Sequence, residues 1–81
     1  DWHTLESTVA EIFPEAIVTP YLVVGATDSR FFSEICDAVY RFSPLILSAA
    51  ERATMHAKNE RVRVEHWLRA VEFFKTFISR L

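Results

Sequence analysis

Residues 64–80 constrain this chain most. At 100° per residue, Val64, Trp67, Val71, Phe74, Ile78 and Leu81 share one side of a helix, widened by Phe73 and Phe77 in one direction and Leu68 in the other. Arg69, Glu72, Lys75, Thr76, Ser79 and Arg80 take the opposite side. The spacing predicts a helix over 64–80 whose apolar arc covers about half its circumference, wider than a lone surface helix requires. An 81-residue chain has little else to cover such an arc, since a domain of this length buries only about 60–65% of its unfolded surface. Yet the chain is 51% hydrophobic, with seven Phe, two Trp and two Tyr and a single glycine. So much apolar material in so short a chain implies a surface meant to be covered by something else. The first residue is Asp1, not Met, and the chain is read as one segment of a longer protein.

The remaining punctuation is Pro14, Pro20, Gly25 and Pro44. Leu5, Val9, Ile12 and Phe13 form one apolar stripe, so residues 3–13 are expected to be helical and to stop at Pro14. Residues 16–24 (AIVTPYLVV) are rich in β-branched and aromatic types and read as a strand covered on both faces, interrupted at Pro20. Residues 29–36 read as a short helix with Asp28 as its N-cap, and residues 38–42 (AVYRF) as a second strand closed by Pro44. Ser48 and Glu51 have capping-box spacing, which predicts a short helix at 49–54. The expected order is α-β-α-β-α, an α/β layer within one segment, residues 1–81. Two strands do not make a stable open sheet, so the remaining strands are expected elsewhere.

Several classes are excluded. No apolar run approaches about 18 residues, so no membrane-spanning helix is expected. No basic region precedes an apolar one as in a secretory signal. The net charge of −2 gives no electrostatic footprint for nucleic acid. The lone Cys36 makes no internal disulfide, and no Cys/His cluster marks a zinc finger. The compartment is left open, with the cytoplasm slightly preferred.

The one glycine lies in VVGATDSRFF, between a predicted strand and a predicted helix. In open α/β sheets ligands bind at the carboxyl ends of strands, and glycine lets backbone approach a ligand closely. The same residues also make a tight turn capped by Asp28 with nothing bound. Neither the three-glycine dinucleotide fingerprint nor the P-loop is present. His56 lies in the polar stretch TMHAKNERV, where an imidazole can meet a metal with Asn59 and Glu60 close by, or be solvated. His66 falls beside Ala70, Phe73 and Phe77 and reads as a packed histidine, and His3 as exposed. There is no HExxH zinc-protease motif. Cys36 reads as a small buried hydrophobe rather than a nucleophile, and Ser29 lacks the glycines of a nucleophile elbow. Arg30, Arg41, Arg61 and Arg63 read as solvated or locally paired charges. Taken alone, these residues establish no activity.

Three pieces in order, FPEA…PYLVVGATDSRFF, VYRFSP and HAKNERVRVE…AVEFF, resemble the C-terminal part of the catalytic domain of the co-catalytic zinc exopeptidases. That group includes carboxypeptidase S, aminoacylase and succinyl-diaminopimelate desuccinylase, and the likeness is to the carboxypeptidase S-like branch. It covers roughly residues 10–80. The resemblance implies a three-layer α/β domain of the phosphorylase/hydrolase-like kind. It also implies two zinc ions and hydrolysis of an amide next to a free carboxylate in a peptide or N-acyl amino acid. Most metal ligands and the glutamate base belong to an N-terminal half absent from these residues, as is a lid domain. By the same resemblance His56 supplies one zinc ligand, and Gly25, Ala26 and Thr27 hold the substrate's carboxylate end. Asp28 fixes that loop, and Asn59 and Glu60 support the histidine. Ala26 and Ala57 stand where the family commonly has glycine, each adding a Cβ where close approach or a positive φ would be needed.

A single imidazole falls short of the three or so protein ligands of a catalytic zinc. The segment alone is therefore expected to be inactive, to hold zinc weakly and to expose apolar surface available for self-association. The competing expectation is a non-catalytic α/β interaction module that binds a partner or itself through its apolar face. The reading frame preceding Asp1 discriminates: an H-x-D motif and a Glu-Glu pair there support the enzyme, and sequencing that finds neither removes it.

Overall fold

The computed structural model describes residues 1–81. Four helices follow one another: α1 (Trp2–Ile12), α2 (Ser29–Phe32), α3 (Ala49–Arg52) and α4 (Val64–Ser79). The two long helices lie within a residue or so of the positions their periodicity predicts. Pro14 closes α1 as expected, with Phe13 N–H still donating to the Val9 carbonyl at 2.8 Å. α3 carries both halves of the expected capping box: Glu51 N–H donates to Ser48 Oγ at 3.2 Å, and Ser48 N–H to Glu51 Oε2 at 3.0 Å.

The expected α/β layer is not there. No residue is in a strand, and the chain is helical with extended connections. Residues 16–24 and 38–42 are where the α-β-α-β-α expectation placed its strands. Beyond the turn in which Ala16 N–H donates to the Phe13 carbonyl, neither stretch forms a backbone hydrogen bond. The β-branched composition describes a chain that prefers to be extended, but a strand exists only when its N–H and C=O groups meet a neighbour's. Pro20 also lacks an N–H and divides the first segment. α2 is likewise shorter than the predicted 29–36, giving way to turns after Phe32 in which Ile35 and Cys36 donate back to the Phe32 carbonyl.

The core sits where α1 meets α4. Leu5, Val9 and Phe13 surround Phe73, which is 1% exposed. The Phe73 ring lies 6.3 Å from Phe13, 5.2 Å from Phe42 and 5.7 Å from Phe77, the last nearly parallel. Two arginines of the α4 region fasten the other side of α1. Arg69 donates to the Ile12 carbonyl at 2.9 Å, satisfying one of the carbonyls that a helix end leaves free, and pairs with Glu15 at 2.6 Å. Its guanidinium also lies over the Phe13 ring at 4.6 Å. Arg80 reaches Thr8 at 3.1 Å and pairs with Glu11.

α4 therefore packs by the flank of its apolar arc, through Ala70 and Phe73, and not by the centre. Trp67, Leu68, Val71, Phe74 and Ile78 are exposed, as are Ile17, Tyr21, Leu22 and Val24 of the first extended segment. The accessible surface is 6698 Å², where a compact monomer of 9.4 kDa exposes about 5,000 Å². The excess of about 1,700 Å² is roughly twice what one partner contributes to a standard protein interface. The radius of gyration, 14.0 Å, likewise exceeds the roughly 12 Å of a compact 81-residue domain. No helix is long and apolar enough to cross a membrane.

Truncating Phe73 removes the ring on which the apolar and aromatic contacts of the core converge. Phe73→Ala is expected to cost about 3–5 kcal/mol in chemical denaturation, close to the whole stability of so small a core. Phe74→Ala, at a half-exposed neighbouring position, is expected to cost much less.

Candidate functional site

The Gly25–Asp28 loop is exposed and lies between the first extended segment and α2. Asp28 occupies the N-cap position, but in helical geometry (φ −62°, ψ −14°) and with no side-chain cap bond. That corrects the expectation of a capping carboxylate. Thr27 takes over the part, its Oγ1 accepting the Ser29 N–H at 3.3 Å while bonding to Ser29 Oγ. Gly25 has an ordinary negative φ and open space where a Cβ would stand. Nothing within the chain demands a glycine there.

The loop is held from the far side by Arg41, in the second extended segment. Its Nη1 donates to the Gly25 carbonyl at 2.7 Å and the Val23 carbonyl at 3.2 Å, and its Nε to Ser29 Oγ at 2.8 Å. From sequence this residue reads, with Arg30, Arg61 and Arg63, as a solvated or locally paired charge. Its place between two aromatics in VYRFSP was visible, but its partners, 12 to 18 positions away, were not.

The His56–Glu60 stretch forms a second exposed loop, between α3 and α4. His56 (φ 61°) and Asn59 (φ 62°) are the two residues of the chain in the left-handed region. Positive φ thus falls on the histidine itself, not on Ala57 or Ala26, where the lost glycines drew attention. Asn and His enter this region more readily than most residues. The loop is closed at its base by Glu51. Oε1 of that carboxylate accepts from Arg63 Nε at 3.0 Å while Oε2 accepts the Ser48 N–H, so one buried side chain joins the start of α3 to the residue before α4. Inside the loop Thr54 Oγ1 donates to the Glu51 carbonyl at 2.6 Å, Ala57 N–H to Thr54 at 2.9 Å and Arg61 to the Asn59 carbonyl at 3.2 Å. The carboxylates of Glu60 and Asp28 point into solvent with no ion-pair partner.

No hydrogen bond or ion pair joins the two loops. Nowhere do three His, Cys, Asp or Glu side chains converge as a metal site would require. His56 is a competent single donor, and the residues of this chain do not by themselves fit a zinc ion. His66, expected to be packed, is half-buried, with Nδ1 lacking a partner and Nε2 3.9 Å from Glu65. Cys36 is exposed, contrary to the buried hydrophobe expected of it.

The class of protein follows from comparison with known proteins. Comparison with known proteins supports the M20 peptidase family, in the branch of carboxypeptidase S, as the family of this chain. It is 35% identical to the mouse N-fatty-acyl-amino acid synthase/hydrolase PM20D1 over 79 residues, which is 96% of this chain and 16% of that protein. The probable carboxypeptidase S-like 2 of Dictyostelium discoideum is 26% identical over 96% of this chain and 15% of its own length. Carboxypeptidase S of Saccharomyces cerevisiae is 28% identical over 95% of this chain and 15% of its own length. The chain thus spans about a sixth of the curated relatives it matches. No family model and no solved structure matches it.

The Ser48 N–H, and then Arg63, hold the Glu51 carboxyl below the usual carboxylate range. A group whose folded pKa is lowered contributes stability that is present above its ordinary pKa, near 4.3, and is lost as pH falls through the lowered value. Protection of the amides in residues 52–62 is therefore expected to fall as the pH drops below that ordinary value. In Glu51→Gln, hydrogen exchange at neutral pH should show that protection already reduced.

Proposed function

We propose that this chain is the C-terminal portion of the catalytic domain of a zinc-dependent exopeptidase or amidohydrolase. That enzyme cleaves the amide bond next to a free carboxylate in a peptide or N-acyl amino acid. The N-terminal half of the catalytic domain, with the glutamate base and most metal ligands, and a lid domain lie outside these residues. In this reading His56 provides one ligand to one of two zinc ions. Gly25, Ala26 and Thr27 receive the substrate's carboxylate end, Asp28 supports that loop, and Asn59 and Glu60 support the histidine. When bound, zinc lowers the pKa of a water and polarises the scissile carbonyl. The residues of this segment orient and do not react.

The observation that carries the reading is the turn at His56. Two non-glycine residues in the left-handed region each cost of order 1–3 kcal/mol, and such cost collects at functional sites. Here it serves to hold an exposed imidazole at the tip of a loop anchored at both ends by Glu51. The open face of Gly25 supports the second part, because a backbone that nothing in the chain crowds is free for a ligand to approach. The relatives' names, N-fatty-acyl-amino acid synthase/hydrolase and carboxypeptidase, support the substrate class. By itself the 81-residue segment is expected to have no hydrolase activity.

The exposed centre of the α4 arc favours a second reading. In it the chain is a non-catalytic module that uses this face to bind a partner or a second copy.

Calorimetric titration with zinc separates the two. Tight binding by the full-length protein, weakened by His56→Ala and absent from the isolated segment, is the result expected for a site built from two halves. Zinc binding unchanged in His56→Ala removes the histidine from the site and leaves the non-catalytic module.

A further inference from the structure

We infer that Arg41 is the positioning residue of the carboxylate-binding loop, acting through the Gly25–Ala26 peptide unit. The inference rests on the reading of Gly25–Thr27 given above and adds the group that aims it.

The argument is geometric. All peptide bonds in the chain are trans, so the Ala26 N–H points away from the Gly25 carbonyl across one planar unit, and the Val24 N–H away from the Val23 carbonyl across another. Arg41 draws both carbonyls toward its guanidinium, at 2.7 and 3.2 Å. Both N–H groups are thereby turned to the opposite side. Neither donates to any backbone group, and no side chain accepts from them. Gly25 sits between them, with open space where a Cβ would stand. Ser29 Oγ, bound by Arg41 Nε at 2.8 Å, ties the same guanidinium to the residue where α2 begins, which fixes the loop at its other end. Three acceptors spread over seven residues of chain need several donors on one rigid plane, which arginine has and lysine lacks. A carboxylate accepting from N–H groups already aimed at it avoids the cost of ordering the loop on binding.

The test is steady-state kinetics on the full-length enzyme with an N-acyl amino acid and its C-terminal carboxamide, for wild type, Arg41→Ala and Arg41→Lys. Loss of aim should raise KM for the carboxylate substrate about tenfold while kcat stays within about twofold, and leave the carboxamide unaffected. Added guanidinium ion should restore KM in Arg41→Ala. Should Arg41→Ala fail to fold, Arg41→Lys gives the answer, with the same KM rise expected at an unchanged melting temperature. An unchanged KM for the carboxylate substrate overturns the inference. So does an equal fall in kcat on both substrates with a lowered melting temperature, which is the mark of a purely structural role. A wild-type enzyme that does not distinguish carboxylate from carboxamide instead refutes the reading of the loop itself, whatever Arg41 does.

Discussion

Phe73 is the point on which the arrangement of this chain turns. Its ring is enclosed by Leu5 and Val9 of α1, by Phe13 at the end of that helix, by Phe42 of the second extended segment and by Phe77 one turn along α4. Aromatic pairs at these separations add to the area they bury, and here they converge on one residue from three parts of the chain. Arg41 is the neighbour of Phe42, so the same contact that fills the core also sets the height at which the guanidinium meets the Gly25 loop. Packing and site are linked through two adjacent residues.

What apolar packing does not join, arginine does. Every backbone–backbone hydrogen bond outside the helices spans four residues or fewer. Each hydrogen bond between residues twelve or more positions apart is donated by Arg41, Arg63, Arg69 or Arg80. The two lysines, Lys58 and Lys75, take part in none of them. With no ladder to fix segments side by side, the chain relies on side chains that are long, planar and rich in donors. The Glu15–Arg69 pair shows the consequence: a hydrogen bond and a close charge contact hold the carboxyl of Glu15 below its usual range and the guanidinium above its own.

The helices were legible because their signals are local. A 3.6-residue period in 64–80, a proline after Phe13 and a Ser-x-x-Glu box at 48–51 each act within a few residues, and α4, α1 and α3 formed accordingly. The extended segments were misread because a strand is a relation between two pieces of chain, and composition describes only one. In the sites, the residues were legible as motifs and their geometry was not. The glycines lost at 26 and 57 drew attention to the wrong positions, while the left-handed turn fell on His56 and Asn59. Asp28 looked like a cap by its residue type, yet Thr27, one place earlier, has the oxygen in reach. Arg41 could not be distinguished from the other arginines, since its importance lies in where residues 23–29 are brought, not in its neighbours in sequence.

Pro20 gives the exposed segment 16–24 one further property. An apolar, β-branched stretch with most of its backbone groups unpaired is the material from which stacked cross-β assemblies grow, because each copy offers the next a row of donors and acceptors. Pro20 deletes one donor from the middle of that row and locks φ near −65°, so every added layer would meet the same missing bond at the same height. The residue that divides the segment also acts as its gatekeeper, denying the exposed Ile17, Leu22 and Val24 to an endless pile of identical chains.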